Sequence, residues 1–247
     1  MGTAESRIYA GNSDGNGRIH ESDHEAAYAS PQLILASSLQ PILSWRYRHI
    51  KRMVDIAGSL LMMVIALVPC LVIGAAIALT SKGPIFYREW RVGRGGRLFK
   101  IWKFRSMSED TERESSIKIE HSGGAVLHWR IHKHHRNPSI TAVGGFLRRW
   151  SLDEIPQVLN VLMGDMSLIG PRPVIEAEVP MYAHLQEFYL AAAPGMSGLW
   201  QVSGRSNVSF KTRAELDAFY VQNWTLRADL VILLRTVPAV LKRVGAR

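Results

Sequence analysis

The segment Ile56-Ala-Gly-Ser-Leu-Leu-Met-Met-Val-Ile-Ala-Leu-Val-Pro-Cys-Leu-Val-Ile-Gly-Ala-Ala-Ile-Ala-Leu79 contains no charged residue. As a helix it is long enough to cross a hydrocarbon core of about 30 Å. The alternative is a buried helix of a soluble protein, but a helix that is apolar on all sides needs a larger protein around it than 247 residues provide. We therefore interpret the segment as a membrane helix.

Basic residues flank this segment on both sides. They are Arg46, Arg48, Lys51 and Arg52 before it, and Lys82, Arg88, Arg91, Arg94 and Arg97 after it. Because basic flanks favour the cytoplasmic side, both ends are expected there, which a straight span does not allow. Pro69 lies near the middle, where it removes a backbone hydrogen bond and bends the helix. These features favour a re-entrant helical hairpin that breaks at Pro69, and a proline-kinked transmembrane helix is the alternative.

The overall charge indicates an anionic partner. Lys and Arg total 30 against 21 Asp and Glu, which gives a net charge of +9. This excess fits nucleic acid, lipid headgroups or a phosphorylated substrate equally well. The single cysteine, Cys70, excludes an internal disulfide and a cysteine-based zinc site, and indicates a reducing compartment.

The composition divides the chain into three parts. The first residues, up to about Ser38, are rich in Gly, Ser, Asn, Asp and His and have no lasting apolar period. We therefore predict a disordered tail over 1–45, the membrane hairpin over 46–82 and a catalytic domain at the cytoplasmic face over 83–247.

The predicted fold class is α+β and mainly helical. Pro84–Val92 and Leu98–Phe104 are rich in β-branched and aromatic residues and are joined through Gly95-Gly96, which predicts a small β-hairpin. Later stretches predict helices, the last two of them amphipathic and either packed on the domain or lying at the membrane interface. They are Phe146–Arg149, Ile155–Leu162, Thr212–Trp224 and Leu226–Val244.

The stretch from Met107 to Asn137 is polar and contains scattered histidines. A zinc site needs three or four ligands that converge in space, and this stretch lacks the paired spacing typical of one. A solvated basic loop is therefore favoured.

Two adjacent carboxylates, Asp153 and Glu154, follow a pair of arginines at a predicted helix start. A structural explanation is a capping box between Ser151 and Glu154, although Pro156 fits better if Asp153 is the cap. The functional explanation is a nucleophile or metal ligand at a helix N-terminus, where backbone N–H groups also favour phosphate. Both stay open on spacing alone.

Two further segments combine turn residues with polar side chains. Arg172 stands between two prolines in Gly170-Pro-Arg-Pro173, where a fixed guanidinium suits bidentate phosphate recognition, and a stiff surface loop is the alternative. Pro194–Arg205 places Gln201, Ser203 and Arg205 among glycines. This segment either closes a pocket or forms a plain turn before a helix.

Taken in order, these motifs resemble the monotopic phosphoglycosyl transferases of the bacterial sugar transferase family. The resemblance covers about Lys51 to Arg243, and the tail lies outside it. It rests on Lys51-Arg52 with Asp55, the break at Pro69, Lys103–Met107, Ser151–Glu154, Gly164–Ser167, Gly170–Pro173, Pro194-Gly195 and Gly204-Arg205.

The resemblance implies an enzyme anchored in the cytoplasmic leaflet of the bacterial inner membrane, with its active site at the membrane face. In such enzymes the aspartate of the pair attacks the sugar-linked phosphorus of a UDP-sugar, releases UMP and holds the phosphosugar covalently. Polyprenyl phosphate, usually undecaprenyl phosphate, then accepts a hexose or N-acetylated amino sugar phosphate. This is the first membrane step of exopolysaccharide or related glycan synthesis.

The resemblance also implies residue roles and partners. Asp153 is the expected nucleophile, and Glu154, with Asp153, the expected ligand of a Mg²⁺ cofactor. The expected phosphate binders are Arg148, Arg172 and Arg205, with Lys103 as a further candidate. Partners are the UDP-sugar, polyprenyl phosphate and membrane lipids, and a second copy of the chain is a candidate partner. One departure is Val68 before Pro69, where many relatives have a serine.

Two other function classes are compatible with parts of the sequence. A non-catalytic membrane scaffold of polysaccharide assembly is the main alternative, and the presence of Asp153, Glu154 and Arg172 together argues against it. A membrane-tethered nucleic-acid binder is suggested only by the charge. Because the chain has no base-reading motif, no nucleic acid partner is expected.

Overall fold

The computed structural model describes residues 31–108, 140–204 and 208–241. The α-helices in these ranges are α1 (Pro31–Leu43), α2 (Arg52–Thr80), α3 (Ala142–Trp150), α4 (Val158–Met163), α5 (Gln186–Ala191), α6 (Leu199–Val202), α7 (Phe210–Gln222) and α8 (Leu226–Leu241). The strands are β1 (Phe86–Val92), β2 (Leu98–Phe104), β3 (Ser167–Ile169) and β4 (Gly195–Ser197). Tighter 3₁₀ helices occupy Arg94–Gly96, Leu152–Gln157 and Glu176–Leu185, and a π-helical segment occupies Arg46–Lys51. The mainly helical α+β class is thereby confirmed.

Helix α1 lies inside the segment for which the composition predicts a disordered tail. Pro31–Leu43 of the predicted tail is helical and residues 1–30 lie outside the described part of the chain, so the division into tail, hairpin and catalytic domain stays a prediction. The composition averaged over residues 1–45 is polar, but the end of this segment has apolar residues at helical spacing, namely Leu35, Leu39 and Ile42. Ile42 is 3% exposed, which accounts for an ordered end. The described residues from Leu39 onward form one contact unit, which includes both 46–82 and the described part of 83–247.

The apolar segment forms the long helix α2. With the π-helical segment before it, Arg46–Thr80 is long and apolar enough to cross a membrane. The helix runs through Pro69 without interruption, so the predicted break is not seen as a gap in the helix and the re-entrant hairpin stays a prediction. Large apolar side chains in its middle face outward, among them Leu61, Val64, Ile65, Val68 and Leu71. This exposed apolar surface is the surface that a bilayer would cover.

The start of α2 packs on the domain that follows it. The guanidinium of Arg52 donates to the carbonyl oxygens of Val161 and Leu162 at the end of α4. The carboxylate of Asp55 accepts from the Ser167 hydroxyl and from the Leu168 backbone N–H, both at 3.0 Å. Because Asp55 is 5% exposed, these bonds satisfy a buried charge and fix α2 against β3.

The end of α2 packs on the same domain. Ile77 forms an apolar cluster with Phe104 of β2 and Leu147 of α3. Just after the helix, the carbonyl and hydroxyl oxygens of Ser81 accept hydrogen bonds from Nη2 of the buried Arg105. Both ends of the apolar helix therefore contact one domain.

Strands β1 and β2 form the predicted antiparallel hairpin, with Phe86 opposite Phe104 and Trp90 opposite Lys100. Its turn includes Gly95 and Gly96, whose φ angles of 68° and 78° suit glycine. The hairpin is confirmed. A second sheet, the parallel pair of β3 and β4, brings Gly170 and Gly195 into close backbone contact.

The predicted later helices are confirmed as α3, α4, α7 and α8, although their position at a membrane interface stays a prediction. A buried polar cluster fixes the start of α8. Lys51 Nζ lies 2.7 Å from Asp229 Oδ2, and the carboxylate also accepts from the Tyr220 hydroxyl and the Trp224 indole. This cluster ties the segment before α2 to the C-terminal helices.

Candidate active site

The carboxylate pair lies at a sharp change of chain direction. Helix α3 ends at Ser151, whose φ of 56° is in the left-handed region, and the 3₁₀ helix Leu152–Gln157 begins directly after it. Ser151 makes no side-chain cap, so the predicted capping box with Glu154 is not formed. Ser151 closes α3 instead, and Pro156 lies inside the 3₁₀ helix rather than in the first turn of an α-helix. Ser151 therefore occupies the N-cap position of the 3₁₀ helix without the side-chain bond of a capping box, and Asp153 lies inside that helix rather than at its cap.

Glu154 contacts strand β2. Its Oε1 lies 3.2 Å from Lys103 Nζ, and the two side chains are 43% and 23% exposed. The strand is held in place by the buried Asn160, which accepts from the Trp102 backbone N–H and donates to the Lys100 carbonyl. The fold thus places a lysine beside the carboxylate pair.

Asp153 sits between charges of both signs. Burial raises the pKa of its carboxyl above the ordinary value, and the neighbouring Glu154 raises that pKa further. Lys103 and Arg148 act in the opposite sense and lower the pKa of Asp153. The structure therefore brings together four predicted site residues, with two cations supporting the ionised form of a half-buried aspartate.

A small polar cleft with a cavity of about 30 Å³ opens beside Glu154. Its polar lining is supplied by Arg91, Lys103, Glu154, Gln157, Arg172 and Gln201. Arg172 is thus in the same cleft as the Lys103–Glu154 pair, and Gln201 lines a pocket, one of the two alternatives for its segment. Arg205 lies outside the described residues, as does most of the predicted solvated loop 107–137.

The loop that carries Arg172 is fixed by the parallel sheet. The Gly170 N–H donates to the Ser197 carbonyl at 2.9 Å, and the Gly195 N–H donates to the Pro171 carbonyl at 2.8 Å. A Cβ at Gly170 would lie 2.4 Å from the Ala193 carbonyl oxygen, so this approach requires glycine. The stiff loop predicted from the two prolines is therefore real, and it points its arginine into the cleft.

Three cleft or near-cleft residues received no functional role from the sequence. Arg91 appears there only as a basic flank, and Gln157 only as the end of the acidic segment. Arg213 lies on α7 with its guanidinium 4.3 Å from the Trp200 ring centre, and Arg172 lies 5.2 Å from the same ring. A helical pattern gives no sign of this pairing, because Trp200 and Arg213 meet only in the folded chain.

The carboxylate pair fits one kind of metal site. Among the described residues, no group of three His, Cys, Asp or Glu side chains converges as a complete protein cage would require. Mg²⁺ is commonly held by one or two carboxylates together with waters and substrate phosphates. Asp153 and Glu154 match that donor set, and the magnesium cofactor stays a prediction.

A family model described as bacterial sugar transferase matches residues 46–243. The chain is 45% identical over 192 residues to the exopolysaccharide production protein ExoY of Sinorhizobium fredii, covering 77% of this chain and 84% of that protein.

Two longer relatives carry more specific names. The UDP-galactose-lipid carrier transferase of Erwinia amylovora is 46% identical over 200 residues, and the undecaprenyl-phosphate galactose phosphotransferase of Salmonella typhimurium is 44% identical over 200 residues. Each match covers 81% of this chain but 42% of the relative. The chain therefore spans less than half the length of these two proteins.

Proposed function

The chain belongs to the bacterial sugar transferase family, and from that membership we propose that it transfers a sugar phosphate from a UDP-sugar to polyprenyl phosphate, releasing UMP. The product enters exopolysaccharide or related glycan synthesis. The names of two relatives supply the reaction class: a UDP-galactose-lipid carrier transferase and an undecaprenyl-phosphate galactose phosphotransferase. The observation that carries the proposal is Asp153, half-buried beside Glu154 and under the influence of Lys103 and Arg148.

Transfer proceeds in two displacements at one phosphorus atom. The Asp153 carboxylate oxygen bonds to the sugar-linked phosphorus, and the bond from that phosphorus to the oxygen of UMP breaks. An oxygen of the polyprenyl phosphate then attacks the same phosphorus and releases the Asp153 carboxylate. A covalent intermediate allows one site to serve a soluble donor and a lipid acceptor in turn.

Cations are essential because both substrates and the nucleophile are anionic. Arg148 and Lys103 flank Asp153, and Arg172 faces the same cleft from the opposite loop. We assign phosphate binding to these three residues and to Arg205. Mg²⁺ held by Glu154 and Asp153 would neutralise phosphate charge during in-line transfer.

The same geometry supports a re-entrant membrane anchor. Both ends of α2 contact one domain, whereas its middle exposes apolar side chains. A bend at Pro69 that returns the helix to the cytoplasmic leaflet accommodates both observations.

Next to the second half of α2, an apolar groove runs along α3 between Val72 and the 57% exposed Phe146. The groove lies on the helix that leads into Asp153, which supports a catalytic site at the cytoplasmic face of the inner membrane.

The anchor is tested by labelling. After Cys70→Ala removes the native thiol, Arg48→Cys and Lys82→Cys each place one exposed thiol at an end of the apolar helix. In sealed vesicles of known orientation, an impermeant maleimide is expected to label both variants from the cytoplasmic side. Labelling of the two positions from opposite sides would establish a straight span and refute the hairpin.

The activity is tested with purified full-length protein, Mg²⁺ and undecaprenyl phosphate. UDP-galactose is the first donor in a panel of UDP-hexoses and N-acetylated UDP-sugars, because two relatives are named for galactose. UMP release is expected from the wild type and from Glu187→Gln, which changes an exposed carboxylate on α5. Release is expected to vanish in Asp153→Asn. A wild type that releases no UMP with any donor would favour the non-catalytic scaffold.

A further inference from the structure

Among the residues that the structure describes, four buried polar atoms without a hydrogen-bond partner lie in one region of the domain. They are Arg172 Nε, Trp200 Nε1, Gln201 Oε1 and Arg213 Nε. The described part of the chain contains seven such atoms, so this one region accounts for most of them. Buried polar atoms normally have partners, and a cluster of unpaired ones indicates a ligand that supplies them.

The four residues form a continuous patch, which we call the guanidinium patch. Both guanidinium groups lie against the Trp200 ring, at 5.2 Å for Arg172 and 4.3 Å for Arg213. Gln201 follows Trp200 in α6 and shares the cleft with Arg172 and Glu154. Trp200 is only 5% exposed. Its indole therefore packs against the two arginines and has no open face on which a base could stack.

The charge of the guanidinium patch is not neutralised within the described residues. Neither Arg172 nor Arg213 has a carboxylate at ion-pair distance there. Burial lowers the pKa of Arg213, and the positive charge of Arg172 lowers it further. Glu178 and Asp217 both raise the pKa of Arg213 from beyond ion-pair distance, and Asp217 is fully buried, which raises its own pKa to about 7. Its carboxylate is occupied by the Tyr182 hydroxyl and the Arg172 backbone N–H. An anion is therefore the natural ligand of the two guanidinium groups.

From these observations we propose that the guanidinium patch binds the nucleoside monophosphate half of the donor, the part that leaves as UMP. The assignment rests on the proposed function and adds Arg213, Trp200 and Gln201 to the donor site. Three of the unpaired atoms are N–H donors that suit phosphate or carbonyl oxygens. The fourth, Gln201 Oε1, is an acceptor and requires a donor such as a ribose hydroxyl or a base N–H. The head of a polyprenyl phosphate offers chiefly acceptor oxygens at neutral pH, so the nucleotide fits better than the lipid.

The test measures UMP binding directly by calorimetry on detergent-solubilised full-length protein with Mg²⁺. Arg213→Gln and Gln201→Leu are each expected to weaken UMP binding about tenfold, the usual scale for a lost hydrogen bond to a charged or buried group. In turnover, the KM for the UDP-sugar is expected to rise while the KM for polyprenyl phosphate stays unchanged. Arg97→Gln, which removes an exposed arginine from the β-hairpin turn, is the matched control.

Thermal melting identifies variants that fail to fold. If Arg213→Gln fails to fold, Arg213→Lys provides a milder change. Unchanged UMP affinity in folded variants of both residues overturns the proposal. It is also overturned if the KM for polyprenyl phosphate rises in place of the KM for the UDP-sugar. A higher KM for the UDP-sugar with unchanged UMP affinity likewise overturns it, because that result would place the sugar at the patch. UMP binding needs no turnover, so an inactive wild type that binds UMP through these residues refutes the proposed function and leaves the nucleotide site standing.

Discussion

The amino group of Lys103 lies 3.2 Å from Oε1 of Glu154, which joins strand β2 to the carboxylate pair across a sequence separation of 51 residues. The lysine also lowers the pKa of the adjacent Asp153. A cation on a strand thus supports the ionised form of a nucleophile on a 3₁₀ helix.

Lys103→Met is expected to slow UMP release and to shift its pH dependence. Because Lys103 lowers the pKa of Asp153, removing it raises that pKa, and a larger fraction of the aspartate is then protonated at a given acidic pH. The acid limb of the profile of kcat/KM against pH should therefore move to higher pH. Lys100→Met removes an exposed lysine from the same strand and should leave the limb in place. An unmoved limb in Lys103→Met would contradict the role given to this lysine.

Gly144→Ala is expected to disrupt the docking of α3 and lower both stability and activity. A Cβ at Gly144 would lie 1.9 Å from the Ser106 carbonyl oxygen, so the helix must move away from the backbone after β2. Gly145→Ala is the matched control, since its Cβ would meet nothing closer than Ile140 at 3.9 Å. Melting temperatures and UMP release of the two variants check this difference. Equal behaviour would show that α3 tolerates displacement.

Lys51→Met is expected to destabilise the protein by about 3 kcal/mol, the scale for removing one partner of a buried ion pair. Lys51 and Asp229 are 3% and 8% exposed, and the lysine is the cation that compensates Asp229. Lys211→Met removes the 86% exposed lysine that faces Glu215 and should change the free energy of unfolding by less than about 1 kcal/mol. Thermal or denaturant unfolding in detergent measures both. A small effect at Lys51 would mean that Tyr220 and Trp224 suffice to hold the carboxylate.

Asp217→Asn is expected to remove part of the pH dependence of stability. Burial raises the pKa of Asp217 to about 7 from its ordinary value of 3.8. The folded state then binds a proton that the unfolded state releases, so stability falls as the pH rises from about 4 to 7. The amide oxygen of the new asparagine would still accept a hydrogen bond from the Tyr182 hydroxyl, but the side chain would no longer bind or release a proton in this pH range. The melting temperature of the variant should therefore vary less than that of the wild type across this range, and an equal slope would contradict the assignment.

Local patterns in the sequence were sufficient for much of the fold. The uncharged run around Pro69 predicts α2, and the pair Gly95-Gly96 between aromatic-rich stretches predicts the β-hairpin. Both signals depend on neighbouring residues alone. The carboxylate pair and Arg172 can likewise be identified from the sequence, because their motifs are short and ordered.

Features that depend on distant contacts could not be predicted. Serine rarely adopts a positive φ, so the turn at Ser151 gives no sequence signal and the capping box was a reasonable but wrong expectation. Lys103 meets Glu154, and Arg213 meets Trp200, only after folding. Helix α1 was missed because its apolar residues were averaged with a longer polar segment.

The most direct test of the covalent mechanism is intact-mass analysis of the full-length protein after incubation with a UDP-sugar that supports turnover, Mg²⁺ and no polyprenyl phosphate. The wild type and Glu187→Gln are expected to gain the mass of one sugar phosphate, which peptide mapping assigns to Asp153 and which added polyprenyl phosphate removes. Asp153→Asn is expected to gain nothing. An active wild type that never carries the adduct, or an adduct on another residue, would contradict the central role of Asp153.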